Sequence, residues 1–271
     1  MRLTLIIFTV LTLLGTAGCT VGEEAHSDLP GSSEETQLIV FAAASLSQAF
    51  GEIATSFESQ HPNLKVVLNL AGSQQLAQQI GLGAPADIFA SANQHQMQVA
   101  IDAGRISKNT ALNFAHNQLV AIAPIDNPAQ VKLPEDLSRP GLRLVLADTA
   151  VPAGQYTLQF LSNVSNLLDA TYLEKVRDNV ASYEQNVRAV LTKVSLNEAD
   201  AGVVYKSDLL NATGIIPIPI PDSLNTMAIY PIAPLADSPN ADMARAFIDF
   251  VSSLEGQAIM VRHGFIAVDP G

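Results

Sequence analysis

Cysteine, tryptophan and charged residues are scarce in this chain of 271 residues. A single cysteine cannot form a disulfide bond within the chain, so the fold does not depend on one. The absence of tryptophan weakens the case for a cleft that stacks carbohydrate on aromatic rings. Charged residues make up 15% of the chain, and 26 acidic residues outnumber 14 basic ones. The net charge of -12 argues against nucleic acid as a partner, because phosphates need a positive protein surface.

The motifs of several enzyme classes are also missing. The chain has no Gly-x-Ser-x-Gly segment, no lysine with a serine three residues before it, and no Gly-Lys pair. The histidines are scattered without the paired spacing of a zinc site: His26, His61, His95, His116 and His263. His116 lies near a predicted crossover between two parts of the fold, and we interpret it as a surface or hinge residue. We therefore predict that the protein is not an enzyme and carries no cofactor.

Residues 1–18 have the features of an export signal. Arg2 precedes an apolar run from Leu3 to Leu14 that is short for a membrane span, and Thr16-Ala17-Gly18 supplies small residues before Cys19. This arrangement resembles a lipobox, although Thr16 stands where an aliphatic residue is usual, and it predicts lipidation of Cys19. Two alternatives stay open: a cleaved signal with a bystander cysteine, and an uncleaved anchor. The protein is expected in the periplasm or on the outer face of the cell membrane.

The rest of the chain falls into a tether and a two-part folded region. Residues 19–36 are polar and acidic with Pro, Gly and Ser, which predicts a flexible tether, and the folded region is expected from Leu38. Beyond it, apolar strand-like segments alternate with segments of helical periodicity, which favours a three-layer α/β fold. Crossover strands near 119–123 and 227–232 predict one lobe from 37–120 plus 228–271 and another from 121–227, with the ligand between them.

The predicted elements follow from apolar runs and helical spacing. Strands are predicted at 38–41, 66–68, 87–90, 119–122, 142–147, 201–205 and 227–232, with an edge strand or linker at 215–221. Helices are predicted after Ser45 and Ser73, around 97–101, from near Gly154, over 187–194, and twice after 240. Ser45 is the expected N-cap of its helix.

Five short segments of small or polar residues stand mostly where a strand passes into a helix. The first amides of a helix lack intrahelical acceptors, and the helix dipole is positive there, so such starts favour anions. Several of them at one cleft could hold an oxyanion without any Lys or Arg. The segments are Ala43-Ala44-Ser45, Ala71-Gly72-Ser73, Val151-Pro152-Ala153-Gly154, Asn186-Val187-Arg188 and Val203-Val204-Tyr205.

These segments resemble those of bacterial periplasmic molybdate-binding proteins, the substrate-binding components of molybdate ABC importers. The similar stretches run from Leu38 to Val268: FAAASL (41–46), AGSQQLAQQI (71–80), PADIFASA (85–92), VPAGQY (151–156), QNVRAVL (185–191), GVVYKSD (202–208) and HGF (263–265). The resemblance implies a two-lobed periplasmic-binding-protein fold, type II-like, with mixed sheets flanked by helices and a ligand cleft between the lobes.

The resemblance also implies which residues bind the oxyanion. The serine hydroxyls fall on Ser45 and Ser73, the backbone amides on Ala153 and Val187, and the tyrosine hydroxyl on Tyr205. These groups would donate to the oxygens of the ion and would not ligate its metal atom. On sequence grounds alone, without the resemblance, Ser45 and Ser73 would be interpreted as ordinary helix N-caps. Arg188 is interpreted as a solvated helix residue and not as an anion clamp.

The implied function is capture of molybdate, and of tungstate, for an ABC permease and its ATPase subunit, by a lipid-tethered monomer. A fully deprotonated dianion only accepts hydrogen bonds, so a pocket of donors suits it, whereas the proton of a phosphate would be left unpaired. Sulfate would be excluded by size alone, because its bonds are shorter than Mo–O or W–O bonds. A binding protein for sulfate or another tetrahedral oxyanion therefore stays open as the alternative, as does a signalling role.

Overall fold

The computed structural model describes residues 35–268. The predicted export signal, Cys19 and residues 19–34 of the predicted tether lie outside the described residues. The first strand already begins at Thr36, which pairs with Leu64, so the strand reaches two residues into the segment before the predicted start at Leu38. That extension is exposed and polar, which is why its sequence resembles a tether.

Within the described residues the chain forms eleven strands and eight α-helices. Three short 3₁₀ turns, Ala44–Leu46, Pro134–Ser138 and Lys206–Leu209, supplement them. In chain order the elements are β1 (Thr36–Ala43), α1 (Ser47–Gln60), β2 (Leu64–Ala71), α2 (Ser73–Gly81), β3 (Ile88–Ala90), α3 (Gln94–Asp102), β4 (Leu112–Asn117), β5 (Leu119–Pro124), β6 (Leu144–Ala147), α4 (Pro152–Leu167), α5 (Tyr172–Asp178), β7 (Val180–Glu184), α6 (Val187–Ser195), β8 (Ala201–Tyr205), β9 (Ile215–Ile218), β10 (Ala228–Pro234), α7 (Ala241–Ser252), α8 (Leu254–Arg262) and β11 (Ile266–Ala267).

The first sheet has six strands in the order β11-β4-β10-β3-β1-β2. Strands β1, β2 and β3 run parallel, whereas β10 pairs antiparallel with both β3 and β4. Helices α1, α2, α3, α7 and α8 pack with strands of this sheet. The carboxyl ends of β1 and β2 lie side by side, because Ala43 is in register with Ala71.

The second sheet has five strands in the order β7-β6-β8-β5-β9. Strand β6 is parallel to β7 and β8, and β5 is antiparallel to β8 and β9. Helices α4 and α6 pack on it, and α5 packs on α4. The isoleucine- and proline-rich segment β9 is an edge strand, where a missing proline N–H is tolerated.

The chain passes between the two sheets twice. Gln118 alone separates β4 of the first sheet from β5 of the second, and the return runs from β9 to β10. Two mixed sheets, each flanked by helices and joined by two crossings, confirm the predicted fold class.

The apolar periodicity of α1 shows why the sequence folds this way. Leu46, Phe50, Ile53 and Phe57 recur every three or four residues, and each is at most 1% exposed. The Phe57 ring meets Phe247 of α7 edge to face with centroids 5.2 Å apart. Burying a large apolar side chain stabilises the fold by about 1.5–3 kcal/mol, so this helix face anchors the first half of the molecule.

Candidate anion-binding site

All five residues that the resemblance assigned to the oxyanion line one small cavity. Its empty volume is about 210 Å³. None of the described residues that line the cavity carries a charge. The lining residues are Ser45, Ser73, Ala153, Val187 and Tyr205, together with Ala43, Ala44, Ala71, Gly72, Ala92, Val151, Pro152 and Asn186.

The first sheet contributes the two serines. Ser45 lies in the 3₁₀ turn that follows β1, and Ser73 is the first residue of α2, directly after β2 and Gly72. Because β1 and β2 are parallel neighbours in register, their carboxyl ends present both serines at the same edge.

The half of the molecule that contains the second sheet contributes the N-termini of two helices. Pro152 is the first residue of α4, where its missing N–H costs nothing, and Ala153 follows it. Val187 is the first residue of α6, whose N-cap Asn186 accepts a hydrogen bond from the Ala189 amide at 3.0 Å. At these positions the amides of Ala153 and Val187 have no intrahelical acceptor and are available to a ligand.

Neither serine caps its own helix. The hydroxyl of Ser45 lies 3.0 Å from the hydroxyl of Tyr230, and the Ser73 hydroxyl accepts from the Ala92 amide at 3.0 Å. The predicted N-cap role of Ser45 is wrong, because the chain makes a 3₁₀ turn before α1 begins two residues later at Ser47. Both hydroxyls are buried and form hydrogen bonds with residues that are distant in the chain.

Tyr205 ends β8 and is 1% exposed. Its hydroxyl has no hydrogen-bond partner among the described residues. Burial raises the pKa of the Tyr205 phenol well above its usual value, and Tyr230 and Tyr156 act in the same direction, so the group stays protonated. A buried hydroxyl without a partner costs about 1–3 kcal/mol, which a ligand at the cavity would recover.

Arg188 is not the solvated residue that the sequence predicted. Its Nε lies 3.4 Å from Oδ1 of Asp208, and its Nη2 donates to the hydroxyl of Ser47 at 3.0 Å. Asp208 is fully buried and also accepts from the Tyr205 amide at 3.1 Å. Arg188 therefore links the start of α6 to α1 next to the cavity and does not line it.

Neutral hydrogen bonds also join the two sheet systems around the cavity. The Gln74 amide donates to the Gln185 carbonyl at 2.8 Å. Two further bonds start near α3: Asn93 donates to the Gln155 side chain at 2.8 Å, and Gln96 donates to the Ala150 carbonyl at 3.2 Å. The cavity thus lies between the two halves of the molecule, which these bonds hold together.

Residues 35–268 contain neither a cluster of metal ligands nor a membrane-spanning helix. No group of three or more His, Cys, Asp or Glu side chains in this part of the chain could hold a metal ion. None of its helices has the length and apolar character needed to cross a membrane. His116 lies half-buried on β4, between Ile229 of β10 and Ile266 of β11, and it does not line the cavity.

Sequence reasoning missed the groups behind the cavity. Tyr230, the Ala92 amide and Asp208 contact the predicted residues directly. The Ser45–Tyr230 contact spans 185 residues, so no local pattern reports it.

The comparisons with known proteins agree with this geometry. A family profile described as bacterial extracellular solute-binding protein matches residues 38–266. The molybdate-binding protein ModA of Mycobacterium tuberculosis is 34% identical over 258 residues, which cover 95% of each chain. Bacillus subtilis YvgL, whose name assigns it as a substrate-binding lipoprotein of an ABC transporter, is 28% identical over 268 residues, or 98% of each chain.

Solved structures show the same architecture. A substrate-binding domain assigned to a molybdenum ABC transporter of Clostridium difficile aligns with a TM-score of 0.64 at 30% identity, covering 86% of this chain and 100% of that one. The sulfate-binding protein SubI of M. tuberculosis aligns with a TM-score of 0.79 over 87% and 88% of the two chains, but at 17% identity it shows the fold alone. The chain therefore belongs to the bacterial extracellular solute-binding proteins, a family of binding proteins and not of enzymes, and is a relative of the molybdate-binding proteins ModA.

Proposed function

We propose that this protein binds molybdate, and tungstate equally, and delivers the ion to an ABC importer. The observation that carries the proposal is the meeting of five potential donors at one small, uncharged cavity: the hydroxyls of Ser45, Ser73 and Tyr205 and the amides of Ala153 and Val187. The relatives named for molybdate point to the same ligand.

Neutral donors are sufficient for this dianion. Each hydrogen bond to a charged acceptor contributes about 1.5–3 kcal/mol net, so five bonds offset desolvation and leave on the order of −8 to −12 kcal/mol, a micromolar to nanomolar affinity. The free amides at the starts of α4 and α6 add the positive ends of two helix dipoles. A net charge of -12 gives no long-range attraction for an anion, so affinity rests on these local donors.

We propose that two lobes close on the ion. Residues 37–120 with 228–271 would form one lobe and 121–227 the other, with one adjustment at the first boundary. Leu119 and Val120 belong to β5 of the second sheet, so Gln118 is the better boundary. The lobes then correspond to the two sheets, and the cavity lies between them.

We propose that the protein is exported, acts as a monomer and delivers the ion to a membrane permease that is driven by a separate ATPase subunit. We propose that Cys19 is lipidated and that residues 20–35 let the folded part reach the permease. The name of YvgL as a lipoprotein supports this. In membrane fractionation, Cys19→Ser is expected to release the protein from membranes, and retention on the membrane would contradict the anchor.

Calorimetric titration of the purified protein with molybdate, tungstate, sulfate and phosphate tests the proposal. We expect tight binding of the first two ions, which have long metal–oxygen bonds, and at least hundredfold weaker binding of the smaller two, a difference of about 2.7 kcal/mol. Tight binding of sulfate would replace the proposed ligand with the sulfate alternative. No binding of any ion would refute the oxyanion site.

A further inference from the structure

Both serine hydroxyls at the cavity lie within hydrogen-bond distance of a protein group that can donate to them. The Ala92 amide donates to Ser73 at 3.0 Å, and an amide can only donate. The Tyr230 hydroxyl lies 3.0 Å from Ser45. A serine hydroxyl that accepts from the protein keeps one proton of its own, and that proton is then free to point into the cavity.

The surroundings of Tyr230 favour one direction for its hydrogen bond. Tyr230 is 0% exposed, and a buried phenol needs an acceptor for its proton. Burial raises its pKa, so the proton is present. The oxygen of Ser45, at 3.0 Å, is the contact of this hydroxyl that has hydrogen-bond geometry. We therefore assign the donor role to Tyr230 and the acceptor role to Ser45.

We propose that Tyr230 is a positioning residue that makes Ser45 a pure donor toward the ion, so that the cavity selects oxyanions without a proton. The Ala92 amide does the same for Ser73. This inference rests on the proposed function of the cavity and adds the cause of one part of its selectivity. Size alone does not explain the rejection of phosphate relative to sulfate, because the two ions have nearly equal bond lengths.

Phosphate and sulfate are similar in size but differ in whether they carry a proton. Near neutral pH, phosphate carries at least one proton and sulfate carries none. A protonated oxygen must donate, and serines that are held as donors leave it facing another proton without an acceptor. Replacing Tyr230 with phenylalanine frees the Ser45 oxygen to accept, so the penalty against phosphate should fall.

The experiment compares the wild type with Tyr230→Phe by displacement of bound molybdate with sulfate and with phosphate. We expect the sulfate-over-phosphate preference to fall about tenfold in the variant, as expected when one unpaired proton gains an acceptor. Molybdate binding itself should weaken about threefold to tenfold, because Ser45 is no longer held in the donor orientation. The ratio of the two small ions is the decisive readout, since a general loss of packing would weaken both alike.

Two variants serve as controls. Tyr172→Phe removes an equally buried tyrosine hydroxyl, which donates to the Pro134 carbonyl at 2.7 Å away from the cavity, and it should leave the ratio unchanged. Ser45→Ala should weaken molybdate without any gain for phosphate. An unchanged ratio in Tyr230→Phe, with molybdate still bound by the wild type, would overturn the role of Tyr230. Failure of the wild type to bind molybdate would instead refute the proposed function.

Discussion

Ser73 carries two hydrogen bonds in this account, one that the fold uses and one offered to the ion. Its oxygen accepts from the Ala92 amide, and its proton is available at the cavity. We expect Ser73→Ala to weaken molybdate binding by about 1–3 kcal/mol, because one hydrogen bond to a charged acceptor is lost. The free energy of unfolding should fall by a similar amount, about 1–3 kcal/mol, because the buried Ala92 amide loses its acceptor.

Calorimetry and urea unfolding measure the two effects separately. The matched control is Ser162→Ala in α4, whose hydroxyl donates to the Leu158 carbonyl and does not line the cavity. That variant should bind molybdate as the wild type does. Unchanged affinity in Ser73→Ala would remove Ser73 from the site.

At the scale of single residues, the sequence identified residues of the site only where they belong to a recognisable motif. The resemblance selected the five residues that line the cavity, including Ala153 and Val187, which have no side-chain chemistry to attract notice. It did not reveal Tyr230, and local pattern misjudged Arg188. An arginine with no local acidic partner looks solvated, whereas its partner Asp208 comes from a turn twenty residues further along the chain.

At the scale of elements, the turn between β2 and α2 lies against the opposite side of the cavity. A Cβ atom at Gly72 would lie 2.4 Å from the Gln185 carbonyl oxygen, which no real contact allows. The φ of Gly72 is −62°, which any residue can adopt, so the obstacle is the contact and not the backbone conformation. We expect Gly72→Ala to fold normally but to hold the two sides apart and weaken molybdate binding by about 1–3 kcal/mol.

Calorimetry gives the affinity of this variant, and small-angle X-ray scattering gives its compaction on adding molybdate. Gly51→Ala in α1 is the matched control, because a Cβ atom there meets nothing within 4 Å. It should bind as the wild type does and gain up to about 1 kcal/mol of stability from helix propensity. Wild-type affinity and compaction in Gly72→Ala would show that this contact does not limit closure.

The elements that sequence pattern predicted are those with a strong apolar period of their own. Strands β1, β5, β6 and β8 are apolar runs, and α1, α2 and α6 have regular buried faces. Four elements were not predicted: β4, α5, β7 and the two-residue strand β11. Strand β4 has the mixed sequence LNFAHN, β7 is a half-exposed edge strand, and α5 is only seven residues long. Contacts with neighbouring elements, and not a periodicity of their own, determine the conformation of these segments.

At the scale of the whole molecule, Asp208 and Arg188 connect the binding site to stability. Burial raises the pKa of Asp208 from 3.8 to about 6, against the opposing effects of Arg188 and the Tyr205 amide. Asp208 therefore favours the folded state in its protonated form. This contribution to the free energy of unfolding is fully present below about pH 4, and it is lost as the pH rises through about 6. The pKa change corresponds to roughly 3 kcal/mol.

We expect the wild type to lose on the order of 3 kcal/mol of unfolding free energy relative to Asp208→Asn between about pH 4 and pH 7. The asparagine keeps an oxygen for the Tyr205 amide but does not ionise. Urea unfolding of both proteins across this range measures the difference, in which the other titrating groups cancel. Parallel stability curves would mean that Asp208 ionises as readily in the folded protein as in the unfolded chain.

The overall architecture could be predicted from the alternation of strands and helices, whereas the meeting of the site segments could not. The cavity forms because two parallel strands in one sheet and two helix starts from the other end at a common place. Such convergence depends on strand order and on the two crossings between the sheets, which no local spacing in the chain specifies.

A crystal structure of the protein grown with molybdate, with the ion located by its anomalous scattering, tests the central claim most directly. We expect one ion in the cavity, with its oxygens within hydrogen-bond distance of the hydroxyls of Ser45, Ser73 and Tyr205 and the amides of Ala153 and Val187. A cavity without the ion at saturating molybdate, or an ion held elsewhere by charged side chains, would contradict it.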